Sequence, residues 1–143
     1  TIRTKNVMAQ PAICSTQIAL PAMTGATIKA VLEDVADNLF NADPYYQQGG
    51  DMVRVGGMAY AIAPDAKAGD RIRDMQLAGK PIDAGKTYKV AGWAPVAANA
   101  QGEPIWDVVS TWLKDKKRVS MRHLQQPKLI GLAGNLGWGP ADA

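Results

Sequence analysis

Between Ala42 and Gly57 the chain reads ADPYYQQGGDMVRVGG, a short stretch that gathers two tyrosines, two glutamines, paired glycines and one arginine. Gly49-Gly50 permits a turn that side chains with a Cβ resist, and Met52, Val53, Arg54 and Val55 after it read as a strand. This sets the Arg54 guanidinium at the mouth of a site. A guanidinium presents a planar fork of donors matched to sulfate-like or phosphate-like oxygens, and it stays charged at any working pH. The chemistry on offer is the grip of a small oxyanion. A strand-edge arginine turned to solvent satisfies the same spacing, so both readings stand.

Other chemistries are poorly supplied. A two-metal hydrolytic centre gathers several His, Asp and Asn ligands around ions roughly 3.5–4 Å apart, whereas this chain holds one histidine, His123, with no acidic cluster beside it in sequence. Neither Cys14 nor any serine lies in a nucleophile elbow, and there is no GxGxxG or GxxxxGK[ST] phosphate loop. Cys14 is alone, so no internal disulfide and no thiolate metal cluster can form. By itself the chain is expected not to be a complete enzyme, and its abrupt polar start, TIRTKN, fits a C-terminal piece of something longer.

The elements that must hold Arg54 follow from periodicity. From Thr24 to Phe40 the apolar residues Ile28, Val31, Leu32, Val35, Leu39 and Phe40 fall on one helical face, with Lys29, Glu33, Asp34, Asp37 and Asn38 on the other. A second helix is expected over Pro104 to Lys114, burying Ile105, Val108, Val109, Trp112 and Leu113. Short strands are expected at Met52–Val55, Met58–Ala63, Arg71–Leu77 and Thr87–Gly92, punctuated by Gly and Pro turns, with another within Ile13 to Leu20. This order favours an α+β fold, a mixed β-sheet with packed helices, over a doubly wound dinucleotide fold. Residues 120–143 differ in composition, rich in Gly and Pro yet keeping Leu129, Ile130, Leu132, Leu136 and Trp138, so they are expected to dock on a surface rather than trail as a tail.

At 143 residues and 47% hydrophobic composition the chain can bury one real core. Its net charge is only +3, and its one basic cluster, Lys114, Lys116, Lys117 and Arg118, follows a helix whose negative end it suits. No nucleic-acid partner is expected. No apolar stretch reaches the ~18 residues of a membrane span, and no signal peptide is visible.

Three segments carry a family resemblance: MTGATIKAVLEDV, GGDMVRVGGMAY and RIRDMQLAGKPIDAGKTYKVAGWAP. Together they resemble the C-terminal, substrate-binding domain of the 5′-nucleotidase family, with Gly79 to Ala91 the most specific part and the likeness running from about Asn6 to Lys114. The resemblance implies a 5′-nucleotidase C-terminal-domain-like fold over 1–119 and an extension over 120–143, docked on that domain or on a missing N-terminal metallophosphoesterase-like domain that carries the metals and the catalytic His-Asp pair. Nucleotidases sandwich the base between two aromatic rings. Here those positions fall at Arg54 and at or beside Pro95, and neither is aromatic. The nucleotidase loop G-G-D-G, whose acid meets the ribose hydroxyls, is replaced by Asn99-Ala100-Gln101-Gly102. Loss of stacking worth roughly 1–3 kcal/mol per base argues against a nucleoside, and an arginine argues for a smaller anion.

The longer string EDVADNLFNADPYYQQGGDMVRVGG resembles the SoxB thiosulfohydrolases of bacterial sulfur oxidation. That resemblance implies two manganese ions in the N-terminal domain, hydrolysis of a cysteine S-sulfonate on the carrier SoxYZ with release of sulfate, and a periplasmic location reached by a signal on the N-terminal part. It also implies roles. Arg54 would contact the sulfonate, and Tyr45, Tyr46, Gln47 and Gln48 would line the channel for the carrier's arm or simply pack in a loop. Asp51 would orient Arg54 or cap the turn, and Trp93 would form a channel wall or a buried strand residue. Two alternatives remain: a nucleotidase or related phosphoesterase domain, and a non-catalytic carrier-binding module.

Overall fold

The computed structural model describes residues 1–9, 17–93, 102–120 and 125–132, Trp93 by its backbone alone. In chain order these form α1 (Thr4–Ala9), β1 (Ile18–Ala19), β2 (Ala22–Thr24), α2 (Gly25–Phe40), a 3-10 turn (Pro44–Tyr46), β3 (Met58–Ile62), β4 (Ile72–Leu77), β5 (Lys80–Pro81), β6 (Thr87–Lys89), β7 (Gly92–Trp93), α3 (Ile105–Lys116) and β8 (Lys128–Leu129). They divide into two compact units, Thr1–Met23 with Thr87–Arg122, and Thr24–Lys86 with His123–Ala143.

In the second unit a four-stranded sheet runs in the order β5-β4-β3-β8. Its β3–β4 and β4–β5 pairs are antiparallel and β3–β8 is parallel, which makes the sheet mixed, as the sequence pattern led one to expect. The 3.6-residue period of α2 puts Ile28, Leu32, Ala36 and Phe40 in line against this sheet, where they meet Met58, Tyr60 and Ile62 of β3 and Ile72 of β4. The start of α2 explains the Thr-Gly step. Thr24 accepts a bond from the Thr27 N–H at 3.1 Å, while the N–H groups of Gly25 and Ala26 reach the carbonyls of Lys86 and Ala84. A Cβ at Gly25 would collide with the Asp83 carbonyl and the Ile82 side chain, so only glycine lets that loop close over the helix end.

The turn at Ala78-Gly79 is tighter than a plain break. Both residues have positive φ, 50° and 76°, and Leu77 pairs directly with Lys80, the geometry of a two-residue hairpin turn. Between Ala59↔Gln76 and Ala61↔Arg73 the ladder advances two residues on β3 and three on β4, a bulge opposite Tyr60 that includes Asp74 at φ 52°.

In the first unit β1 pairs antiparallel with β7, matching Ile18 with Trp93 and Ala19 with Gly92, β2 pairs with β6, and α1 lies against α3. Asp107 in the first turn of α3 and Lys114 and Lys116 in its last complement the helix dipole. No α3 side chain is fully buried, and Trp112, expected in the core, is 48% exposed. Helix α1, which packs on α3 and buries Val7, was not foreseen in the polar TIRTKN start. Among the described residues no helix is long and apolar enough to cross a membrane. Cys14, His123, Pro95, Leu136 and Trp138 lie outside the described residues.

Candidate functional site

Met52–Val55, expected as a strand, joins no ladder. Both edges of β3 are taken, by β4 and β8, so the segment cannot pair with the strand it leads into, and glycines at positive φ (Gly49, Gly50 and Gly57) bracket it. It is held by packing instead. Met52, Val53 and Val55 are half-buried against the α2–sheet core, which leaves Arg54 between them exposed.

This segment forms one wall of an open cleft of about 400 Å³. Met52, Val53, Arg54, Val55 and Tyr60 line it together with Gln125, Gln126 and Pro127. The glutamines arrive from far along the chain because β8, just after them, lies parallel to β3 through Ala61↔Lys128 and Ile62↔Leu129. Polar donors thus stand on an apolar wall. Among the described residues the lining carries one positive charge and no carboxylate. Arg54 makes no hydrogen bond or ion pair among the described residues, and neither does the exposed Asp51, which leaves the guanidinium fork unspent.

Tyr60 and the Gln125-Gln126 pair are site residues that the sequence reading missed. Tyr60 lay within the expected Met58–Ala63 strand and was not singled out; its ring is core, at 4% exposure. Its hydroxyl has no protein partner among the described residues, and no buried side-chain oxygen there lacks one, so this oxygen opens on the cleft. Burial raises the Tyr60 pKa, keeping the phenol protonated. The signal for the glutamines was only their closeness to the apolar KLIGL run; their placement needed the parallel pairing.

Tyr45, Tyr46, Gln47 and Gln48 occupy an exposed turn before the cleft wall and stand outside the cleft lining. The two tyrosine rings meet edge to face at 5.4 Å, with Tyr45 87% exposed. The turn is built from its own polar residues: Asp43 accepts from the Tyr45 N–H at 2.9 Å, and Gln47 Nε2 donates to the Asn41 carbonyl at 2.7 Å. Trp93 belongs to the other unit, in β7, with its side chain outside the description.

A polar knot anchors this side of the unit. Glu33, expected on the solvent face of α2, is 8% exposed. Its carboxylate accepts from the N–H groups of Gly69 (3.0 Å), Arg71 (3.2 Å) and Ile72 (2.7 Å) and from Lys29 Nζ (2.9 Å). The 63–71 loop covers that helix face, and its inward N–H groups need an acceptor there. Arg71 donates to the carbonyls of Pro64 and Phe40 and to Asp37 at 2.6 Å, and Asp37 also accepts from Asn41. Burial pushes the Glu33 pKa up, but the bonds from Ile72, Lys29 and Arg71 outweigh it and hold the group below its ordinary value. Asp37 is likewise held low, first by Arg71 and then by Asn41.

The model of the 5′-nucleotidase C-terminal domain matches residues 2–111. The chain belongs to that family. Among solved structures it is similar to sulfate thiohydrolase SoxB from Thermus thermophilus, with 36% identity and a TM-score of 0.75 over 92% of this chain and 26% of that one. It is also similar to the NAD nucleotidase NadN from Haemophilus influenzae (16%, TM-score 0.69, 90% of this chain and 26% of that one). A 5′-nucleotidase precursor from Thermus thermophilus gives 18% and a TM-score of 0.62, over 90% and 28%. These last two likenesses speak for the fold alone. The chain spans about a quarter of the length of these relatives. A comparison with curated proteins gave no match. As a member of this family the chain has the α+β, mixed-sheet fold read from its sequence. Among the described residues no three His, Cys, Asp or Glu side chains are grouped so as to hold a metal ion, so these residues do not fit the implied manganese pair.

Proposed function

We propose that this chain is the substrate-binding part of a thiosulfohydrolase, which holds the sulfonate of a carrier-bound cysteine S-sulfonate while water cleaves the S–S bond. The reaction is R–S–SO3⁻ + H2O → R–SH + HSO4⁻, with the water oxygen joining the sulfonate sulfur and the thiol staying on the carrier. Arg54 is the observation that carries the reading: a guanidinium without a partner among the described residues, on a cleft wall to which those residues bring no carboxylate. The 36% identity to SoxB supports it, as does the position of Arg54, where the nucleotidase pattern has a base-stacking ring.

Bound to the sulfonate, the fork strengthens its bonds as charge shifts onto the departing sulfate oxygens. Residues 1–119 form the binding domain in this proposal, and 120–143 an extension that docks on it and brings Gln125–Pro127 to the cleft. Two manganese ions are assigned to an N-terminal metallophosphoesterase-like domain outside this chain. SoxYZ is the carrier and the periplasm the location, with Tyr45, Tyr46, Gln47 and Gln48 guiding the carrier arm; Asp51, which does not bond Arg54 among the described residues, is left without the orienting role the sequence suggested.

Arg54→Ala in the full-length protein should slow sulfate release from S-sulfonated SoxYZ about 100-fold and leave the melting temperature unchanged. An unchanged rate removes Arg54 from the reaction. Tight AMP binding without sulfate release would make the protein a nucleotidase, and carrier binding without any release a non-catalytic module.

A further inference from the structure

Tyr60 is 4% exposed, yet its hydroxyl is not sealed in the core: it has no partner among the described residues, where no buried side-chain oxygen lacks one. Phenylalanine would fill the same core volume, so the oxygen is the part of this side chain that the core does not use. Tyr60 keeps its ring among Leu32, Ala36, Met58, Ile62 and Ile72, yet its oxygen opens on the wall that carries Arg54. The bulge in β4 opposite Tyr60, with Asp74 in the left-handed region, breaks the regular pleat at that point. Among the described residues the lining supplies a single cationic fork, one phenol and two amide-bearing residues, with no carboxylate to repel an anion.

We propose that the Tyr60 hydroxyl is a second oxyanion-binding group of this cleft, donating to one oxygen of a tetrahedral sulfonate or sulfate whose other oxygens are held by the Arg54 guanidinium. The inference rests on the reading of the cleft as a sulfonate site and adds to it a donor of different kind. Arg54 lies exposed in an irregular segment, whereas Tyr60 is fixed in the central strand of the sheet. The phenol therefore sets where the anion sits, and the guanidinium supplies attraction. A neutral donor at a partly desolvated wall gives a charge-assisted bond, and the upward push of burial on the phenol keeps its proton available through the neutral range.

The test is titration of the full-length protein with sodium sulfate by calorimetry, in the wild type, Tyr60→Phe, Arg54→Gln and the double variant. Tyr60→Phe removes one oxygen and should weaken sulfate binding about 10–100-fold. In wild-type protein carrying ring-¹³Cζ tyrosine, sulfate should shift the resonance that Tyr60→Phe deletes, a readout that does not depend on how well the variant folds. A Tyr60→Phe affinity within twofold of wild type, or a Tyr60 resonance indifferent to sulfate, overturns the inference. If Arg54→Gln abolishes binding while Tyr60→Phe does not, the Tyr60 role alone fails and the sulfonate reading stands. If the wild type takes no sulfate, both fall together.

Discussion

Arg71 and Arg54 lie in the same unit and carry the same guanidinium, but their surroundings give them opposite work. Arg71 is 4% exposed and spends its donors on the Pro64 and Phe40 carbonyls and Asp37. Arg54 is exposed, flanked by half-buried apolar residues, and spends none among the described residues. A buried cation must be fully bonded to exist, so Arg71 is part of the architecture. One left unpaired beside a cleft costs little and is ready to meet a ligand. The two are also linked, since Arg71 bonds Asp37, Asp37 bonds Asn41, and Asn41 supports Gln47 in the tyrosine turn ahead of the cleft wall.

The contrast is broken most directly at the knot. Glu33→Ala orphans three inward N–H groups and should lower unfolding stability by about 3–5 kcal/mol in denaturant titration. A loss under 1 kcal/mol would show the knot to be wet and dispensable. Next in size, Arg54→Lys keeps the charge and loses the fork. It should reduce sulfate release about tenfold, less than Arg54→Ala, with stability within about 0.5 kcal/mol of wild type; equal rates for Lys and Arg would make charge alone sufficient.

Acid should act on the knot and spare the cleft. Glu33 and Asp37 have folded pKa values held below their ordinary 4.5 and 3.8, so the unfolded chain binds protons first as pH falls. The stability they contribute is complete above those ordinary values and disappears as pH drops through the lowered ones. Melting temperatures measured from pH 6 to pH 3 should fall most steeply below about 4.5, and Glu33→Gln should flatten that slope. The smallest effect belongs to the bulge, where Asp74→Gly suits φ 52° and should change stability by less than about 1 kcal/mol, whereas Asp74→Val should destabilise.

The sequence was readable where one period decides the outcome. Ile28, Leu32 and Phe40 at helical spacing located α2, and Met58, Tyr60 and Ile62 at strand spacing located β3, to within a residue of their observed ends. It misled where a third element decides. Glu33 shares the polar face with Asp34 and Asp37, and only the covering 63–71 loop turns it into a buried acceptor. Met52–Val55 has the residues of a strand, but both edges of β3, into which it leads, are taken by β4 and β8. Trp112 follows the apolar stripe of α3 and is still half open.

From the sequence alone came the α+β class, the family and Arg54 as the residue to watch, because residue type, period and motif are local properties written in the order of the chain. Only the folded chain could bring Gln125 and Gln126 beside Arg54, open the Tyr60 hydroxyl on the same wall and close Glu33 against the 63–71 loop. Those are encounters between segments distant in sequence, fixed by which sheet edges are free and which buried donors still need an acceptor.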